Sequence, residues 1–154
     1  MANDSSTPVA VASLHGKRLA PDGSKLVLVE WTVQGSSSGD PEWMAPLHIH
    51  NDDDEAWYVL EGRLRVRVGD EDHDVPAGGA VIGPRGIPHT FCNPAPEPAR
   101  YIVVMSDRTS ALLDALHTVD TSNLTNCVTS TPPTGASCSA NPLVQANDPP
   151  ASTA

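Results

Sequence analysis

Residues 48–62, HIHNDDDEAWYVLEG, decide how this chain is read. Extended backbone sends alternate side chains to the same side, so His48 and His50 address one point in space. Asn51, Asp52, Asp53 and Asp54 are turn-forming residues, and Glu55 returns on the strand that follows them. His89, on a separate strand further along, completes a set of three imidazoles and one carboxylate. That set suits one divalent metal ion. Fe, Mn, Ni, Co and Zn all accept it, because availability and geometry rather than ligand chemistry choose among them. With at most four protein ligands, an octahedral ion keeps positions open for substrate and for O2 or water.

Working outward from this stretch, short β-rich runs alternate with Gly and Pro turns from about Val9 to Asp107. The run 25–34 (KLVLVEWTVQ) places Val27, Val29, Trp31 and Val33 on one face. The run 63–68 (RLRVRV) points Leu64, Val66 and Val68 inward and Arg63, Arg65 and Arg67 outward. Residues 69–72 form a hairpin turn returning through 73–75. Further strands are expected at 57–61, 80–82, 89–93 and 101–106, and one helix at 109–117, where Leu112, Leu113 and Leu116 recur at helical spacing. Many short strands with regular turns indicate an all-β sandwich or barrel. A closed barrel of this size has room for one small ligand. The apolar residues expected to line it, and so to bind substrate, are Trp31, Met44, Trp57, Phe91, Ile102 and Val104.

The outer parts of the chain differ in composition. Residues 1–8 are a polar leader, 9–117 the folded domain, and 118–154 a Ser/Thr/Pro/Ala/Asn-rich tail with no aromatic residue. A segment with so little apolar surface does not offset its ordering entropy, so the tail is expected to be disordered. With 19 acidic and 9 basic residues the chain carries a net charge of −10, which argues against a nucleic-acid surface. No apolar run approaches the length of a membrane span. The N-terminus has neither a basic nor an apolar signal region, so a cytoplasmic location is expected. Cys92, Cys127 and Cys138 lack CxxC spacing. Cys127 and Cys138 are near enough to bridge under oxidising conditions, and two free thiols are expected in a reducing cytosol. Asp52–Asp54 and the Arg63, Arg65, Arg67 stripe are expected to be solvated. His15, His73 and His117 have no partners at ligand spacing.

These residues resemble the cupins. In the first cupin motif, Gly-x5-His-x-His-x3,4-Glu-x6-Gly, the second half is matched by His48, His50, Glu55 and Gly62. In the second, Gly-x5-Pro-x-Gly-x2-His-x3-Asn, Gly78, Pro84, Gly86, His89 and Asn93 match every fixed position. One departure stands at the opening glycine of the first motif, where the chain has Glu42. The resemblance covers roughly residues 25–106. It implies a double-stranded β-helix (jelly-roll barrel) with a short C-terminal helix, a single motif pair, and a homodimer formed through an outer strand face.

It also implies chemistry. The first motif is similar to that of the quercetinase-type cupins, which implies a metal-dependent dioxygenase acting on an apolar hydroxylated or enolisable aromatic small molecule. There His48, His50, Glu55 and His89 hold the metal, and Glu55 is the candidate catalytic base as well as a ligand. A metal-assisted polyketide-type cyclase or isomerase needs the same ligands, and a metal-loaded binding module without turnover is the third reading. No Lys or Arg falls on an inward position near the motifs, which weighs against a phosphosugar substrate.

Overall fold

In the run 63–68 strict alternation of apolar and basic residues produces the strand it implies. β5 (Arg63–Val68) buries Leu64 and Val66 and turns its arginines outward. A computed structural model describes residues 8–36, 42–118 and 144–145. The Gly69-Asp70 turn is tighter than expected, so the partner strand β6 (Glu71–Pro76) starts at Glu71. The outward stripe is ion-paired across this hairpin: Arg65 Nε lies 2.8 Å from Asp74 and Arg67 Nε 2.6 Å from Asp72. Arg67 also lies over the Trp43 ring at 5.0 Å.

The remaining strands are β1 (Arg18–Leu19), β2 (Leu26–Val33), β3 (His48–Ile49), β4 (Glu55–Glu61), β7 (Ala80–Gly83), β8 (His89–Cys92), β9 (Ala99–Ser106) and β10 (Val144–Gln145). They form two five-stranded sheets, ordered β1-β2-β9-β4-β7 and β10-β3-β8-β5-β6. Every pairing is antiparallel except β10 with β3, where Val144 sits opposite His48. β10 lies within the segment expected to be disordered. The rest of that tail, including Cys127 and Cys138, lies outside the described residues, as does most of the leader.

The core fills the space between the sheets. Val27, Val29, Val33, Trp57, Val59, Tyr101, Val103 and Met105 come from the first sheet and Leu64, Val66, Val75 and Phe91 from the second. The helix α1 (Asp107–Thr118) begins before the expected Thr109, because Ser106 caps it: the Thr109 amide donates to Ser106 Oγ at 3.0 Å. Arg18 ties the helix to β1 through a paired 2.7 Å contact with Asp114, and Leu113 packs on the core. No helix among the described residues is long and apolar enough to cross a membrane.

Candidate metal centre

The two sheets contribute unequally to the histidine–glutamate site. β3 and β8 pair so that His48 and His89 are direct partners, and His50 follows at the end of β3. Glu55 opens β4 in the opposite sheet, in register with Gly83 of β7. One ligand atom from each of His48, His50, Glu55 and His89 lies within 4.8 Å of all the others. The three imidazole centroids are 4.6–5.2 Å apart. His50, Glu55 and His89 are buried and His48 half-buried, so the cluster opens on the His48 side.

Backbone contacts fix which nitrogen each ring presents. His48 Nδ1 lies 2.8 Å from the Pro46 carbonyl and His89 Nδ1 2.9 Å from that of Ile87. A carbonyl only accepts, so both Nδ1 atoms carry a proton, and both Nε2 atoms are the ones left to ligate once unprotonated. His89 Nε2 and both ring nitrogens of His50 are buried without a hydrogen-bond partner. Unsatisfied polar atoms of this kind need an explanation, and a cation supplies one. His48 is pushed toward its neutral form first by burial and then by its neighbour His89. Neutral imidazole is the ligating form.

Glu55 balances the cluster. Burial alone would raise its pKa, but the pull of His50 and His89, each 3.4 Å from Oε2, outweighs this and lowers it to about 2. The carboxylate is therefore anionic at any physiological pH. Three imidazole nitrogens and one carboxylate, enclosed and preoriented, fit a divalent ion.

The second motif acts largely through its backbone. The Gly86 amide donates to the His50 carbonyl at 2.7 Å, fastening the loop before β8 to a ligand. The Met44 amide donates to the Phe91 carbonyl and the Thr90 hydroxyl to that of Ala45, so residues 44–50 run along β8. Asn93 organises a turn rather than the site, donating from Nδ2 to the Glu97 carbonyl at 2.7 Å. Gly62 (φ 72°) has no room for a Cβ, which would stand 2.8 Å from the Pro98 carbonyl oxygen. Glu42, where the first motif has its glycine, lines a surface cavity with Thr32 and Met44.

The residues expected to line the chamber divide into three groups. Trp57 and Phe91 pack as buried core beside the ligands: Trp57 is edge-on to His89 at 5.6 Å and tilted over Phe91 at 5.7 Å. Met44 lies elsewhere, and Trp31 joins the aromatic group only through Tyr101, edge-on at 6.4 Å. Trp31 lines a cleft with Arg18, Leu113 and Asp114, and Met44, 49% exposed, borders the cavity near Glu42. Ile102 and Val104 have the wrong parity, because on β9 the buried set is Tyr101, Val103 and Met105. Tyr101, which sequence reasoning missed, extends this aromatic group, with its ring 5.4 Å from Phe91. The polar residues bounding β9 hold the signal. Arg100 and Ser106 belong outside, and counting in twos from them places Ile102 and Val104 outside as well.

The acidic loop is also not simply solvated. Asp54 is clamped by the Arg85 amide and guanidinium at 2.8–3.1 Å, and Arg108 reaches Asp52 and Asp53 at 3.1 Å. His15, exposed, pairs with the buried Glu30 at 2.8 Å.

This geometry can be set beside known proteins. Residues 39–105 match the family model described as Cupin domain. Residues 39–105 form a cupin domain. Among solved structures, this cupin is similar to TT1209 from Thermus thermophilus, with 29% identity over 53% of this chain and 72% of that one and a TM-score of 0.46. It is similar to the Cnp3 cupin domain of Schizosaccharomyces pombe (16% identity, 63% of each chain, TM-score 0.49). A sugar phosphate isomerase from a cupin superfamily of Silicibacter pomeroyi is similar at 22% identity over 60% of each chain, with a TM-score of 0.47. The chain thus spans less than two thirds of the latter two structures. No curated protein matches it.

Proposed function

We propose that this cupin is a metal-dependent dioxygenase for a small, apolar, hydroxylated or enolisable aromatic molecule. The observation that carries the reading is the meeting of His48, His50, Glu55 and His89 against an aromatic wall of Trp57, Phe91 and Tyr101. A divalent ion held there supplies Lewis acidity and, if redox-active, access to O2 chemistry. The aromatic wall excludes water and receives a planar ring. Glu55 is the anionic group closest to the ligand nitrogens and is the acceptor for a proton leaving a substrate hydroxyl. Among the described residues no Lys or Arg is buried, which disfavours a phosphorylated substrate.

Elemental analysis of protein purified without added metal, followed by oxygen-electrode assays with flavonols and small phenolics, tests this. Oxygen uptake with at least one redox-active metal is expected. Failure with all of them removes the dioxygenase reading.

One observation favours a second reading. A carboxylate lowered to about 2 is a weak base and a steady ligand. That suits a Lewis-acid cyclase or isomerase in which Glu55 never leaves the ion, and such an enzyme turns over without oxygen.

The partner proposed for the outer face of the first sheet is a second copy of this chain. Leu28, Val104, Ala56 and Ile82 form one cross-strand row, Ile102, Tyr58 and Ala80 the next, and Ile82 is 60% exposed. A contiguous apolar sheet face of this kind marks an interaction surface.

A further inference from the structure

Two neighbouring crossings of the chain carry the ligands between the sheets. Residues 51–54 leave the second sheet after His50 and enter the first at Glu55, while residues 84–88 leave the first after Gly83 and re-enter the second at His89. Because Glu55 pairs with Gly83 and His48 with His89, the crossings run side by side in opposite directions. Neither is a strand, so no β-ladder joins them. Yet the separation of carboxylate and imidazoles is set here, since each sheet orders only its own ligands.

Three successive residues of the second crossing make the connection. The Arg85 amide donates to Asp54 Oδ1 at 2.9 Å, its Nε to the same oxygen at 3.1 Å and its Nη2 to Oδ2 at 2.8 Å. The Gly86 amide donates to the His50 carbonyl at 2.7 Å, and the Ile87 carbonyl accepts from His89 Nδ1 at 2.9 Å. Asp54 directly precedes Glu55, so one short loop touches the backbone or ring of two ligands and the residue beside a third. Both oxygens of Asp54 are engaged, one of them by main chain and side chain together, which fixes its orientation as well as its distance. Neither Asp54 nor Arg85 occupies a fixed position of the two motifs. Both side chains are exposed, and an exposed ion pair adds little to the stability of a fold.

We infer that Asp54 and Arg85 are positioning residues whose clasp holds the crossing that delivers Glu55 against the crossing that braces His50 and delivers His89. The inference rests on the reading of the four side chains as a metal site, and on no particular reaction there. The bland alternative is a solvated ion pair whose charges reach the ion only through space. The two differ in sign at Arg85. Removing a guanidinium near a bound cation relieves repulsion and slows release of the ion, whereas opening the clasp speeds it.

The test uses the full chain loaded with Co(II), whose visible absorption reports coordination number and geometry, mixed with excess chelator. Direct hydrogen-bond partners of metal ligands are worth about 10–100-fold in affinity, and the clasp acts one step further out. Arg85→Ala, which leaves the amide contact in place, is therefore expected to release cobalt about threefold faster than wild type, and Asp54→Ala about tenfold faster with an altered visible band. Asp54→Asn loses the same charge but keeps an oxygen for the Arg85 amide, and is expected to restore most of the wild-type rate. Asp52→Ala takes an equal charge from the same crossing, where the partner is Arg108, and should leave the band unchanged. Urea midpoints of the Arg85 and Asp54 variants should stay near that of wild type. Slower or unchanged release from Arg85→Ala overturns the clasp and leaves the metal site standing. A wild-type chain that takes up no cobalt overturns both.

Discussion

β9 is one strand with two apolar faces that do different work. Tyr101, Val103 and Met105 are almost fully enclosed, whereas Ile102 and Val104, equally hydrophobic, are only half-buried on the outside of the same sheet. Hydropathy does not separate a ligand chamber from a docking face, but strand parity does. The sharpest way to break this comparison is to place one charge on each side. Val103→Lys buries an ammonium with no partner and is expected to abolish folding, a loss of more than about 4 kcal/mol by urea denaturation. Val104→Lys faces outward near Asp52–Asp54 and is expected to change monomer stability by only about 1 kcal/mol. On the homodimer proposal it converts dimer to monomer by size-exclusion chromatography with light scattering. Equal losses in the two variants would mean that the faces are not distinct.

The enclosed face is functional only where it meets the ligands. His89→Ala removes a donor that is fully buried and held by the Ile87 carbonyl. Metal affinity is expected to fall by more than about 100-fold, a larger effect than losing a hydrogen bond that merely orients a ligand. Competition with a chelator followed by elemental analysis measures it. The thermal stabilisation that excess metal gives the wild-type chain should vanish with it. Retained affinity would remove the site assignment.

Gly83→Ala tests how tightly β7 sets the same corner. The new methyl must displace His89 or Trp57, so a loss of about 1–3 kcal/mol is expected, together with weaker metal binding. Stability loss with metal binding intact would show that the chamber absorbs the methyl without moving its ligand.

The legible parts of the molecule are those where polar and apolar residues alternate. Arg63–Val68 announces both strand and parity, and the two histidine motifs place four ligands on three strands. Ala99–Ser106 is harder because its centre, Tyr101 to Met105, is continuously apolar and carries no period of its own. Only Arg100 and Ser106 at its margins reveal which residues look outward. Trp31 follows its neighbours' parity and meets Tyr101 edge-on, but it borders a cleft against Leu113 of the helix, and position along a strand is not written in alternation. The clamping of Asp52–Asp54 is hidden for another reason. Its partners, Arg85 and Arg108, are 31 and 55 residues away in sequence, and only the closed fold brings them together.

The smallest expected effect compares two neighbouring carboxylates on opposite sides of the barrel wall. Asp54 and Glu55 are both lowered to about 2, Asp54 by the surface hydrogen bonds of Arg85 and Glu55 by buried histidines acting against its own burial. A carboxylate held below its unfolded value stabilises the fold fully above that value and loses the contribution as pH falls toward its folded pKa. For both groups the window therefore runs from their ordinary values near 4 down to about 2. Chelator-treated protein should lose urea resistance across it, and Glu55→Gln should flatten that acid limb because its partners are shielded from water and salt. Asp54→Asn should flatten it far less, since the Arg85 pair is exposed and screened. Raising the ionic strength should erase the Asp54 share and leave that of Glu55. Were salt to erase both equally, Glu55 would be as open to solvent as its neighbour, and the division of this sheet into an enclosed and an exposed face would fail at its most important residue.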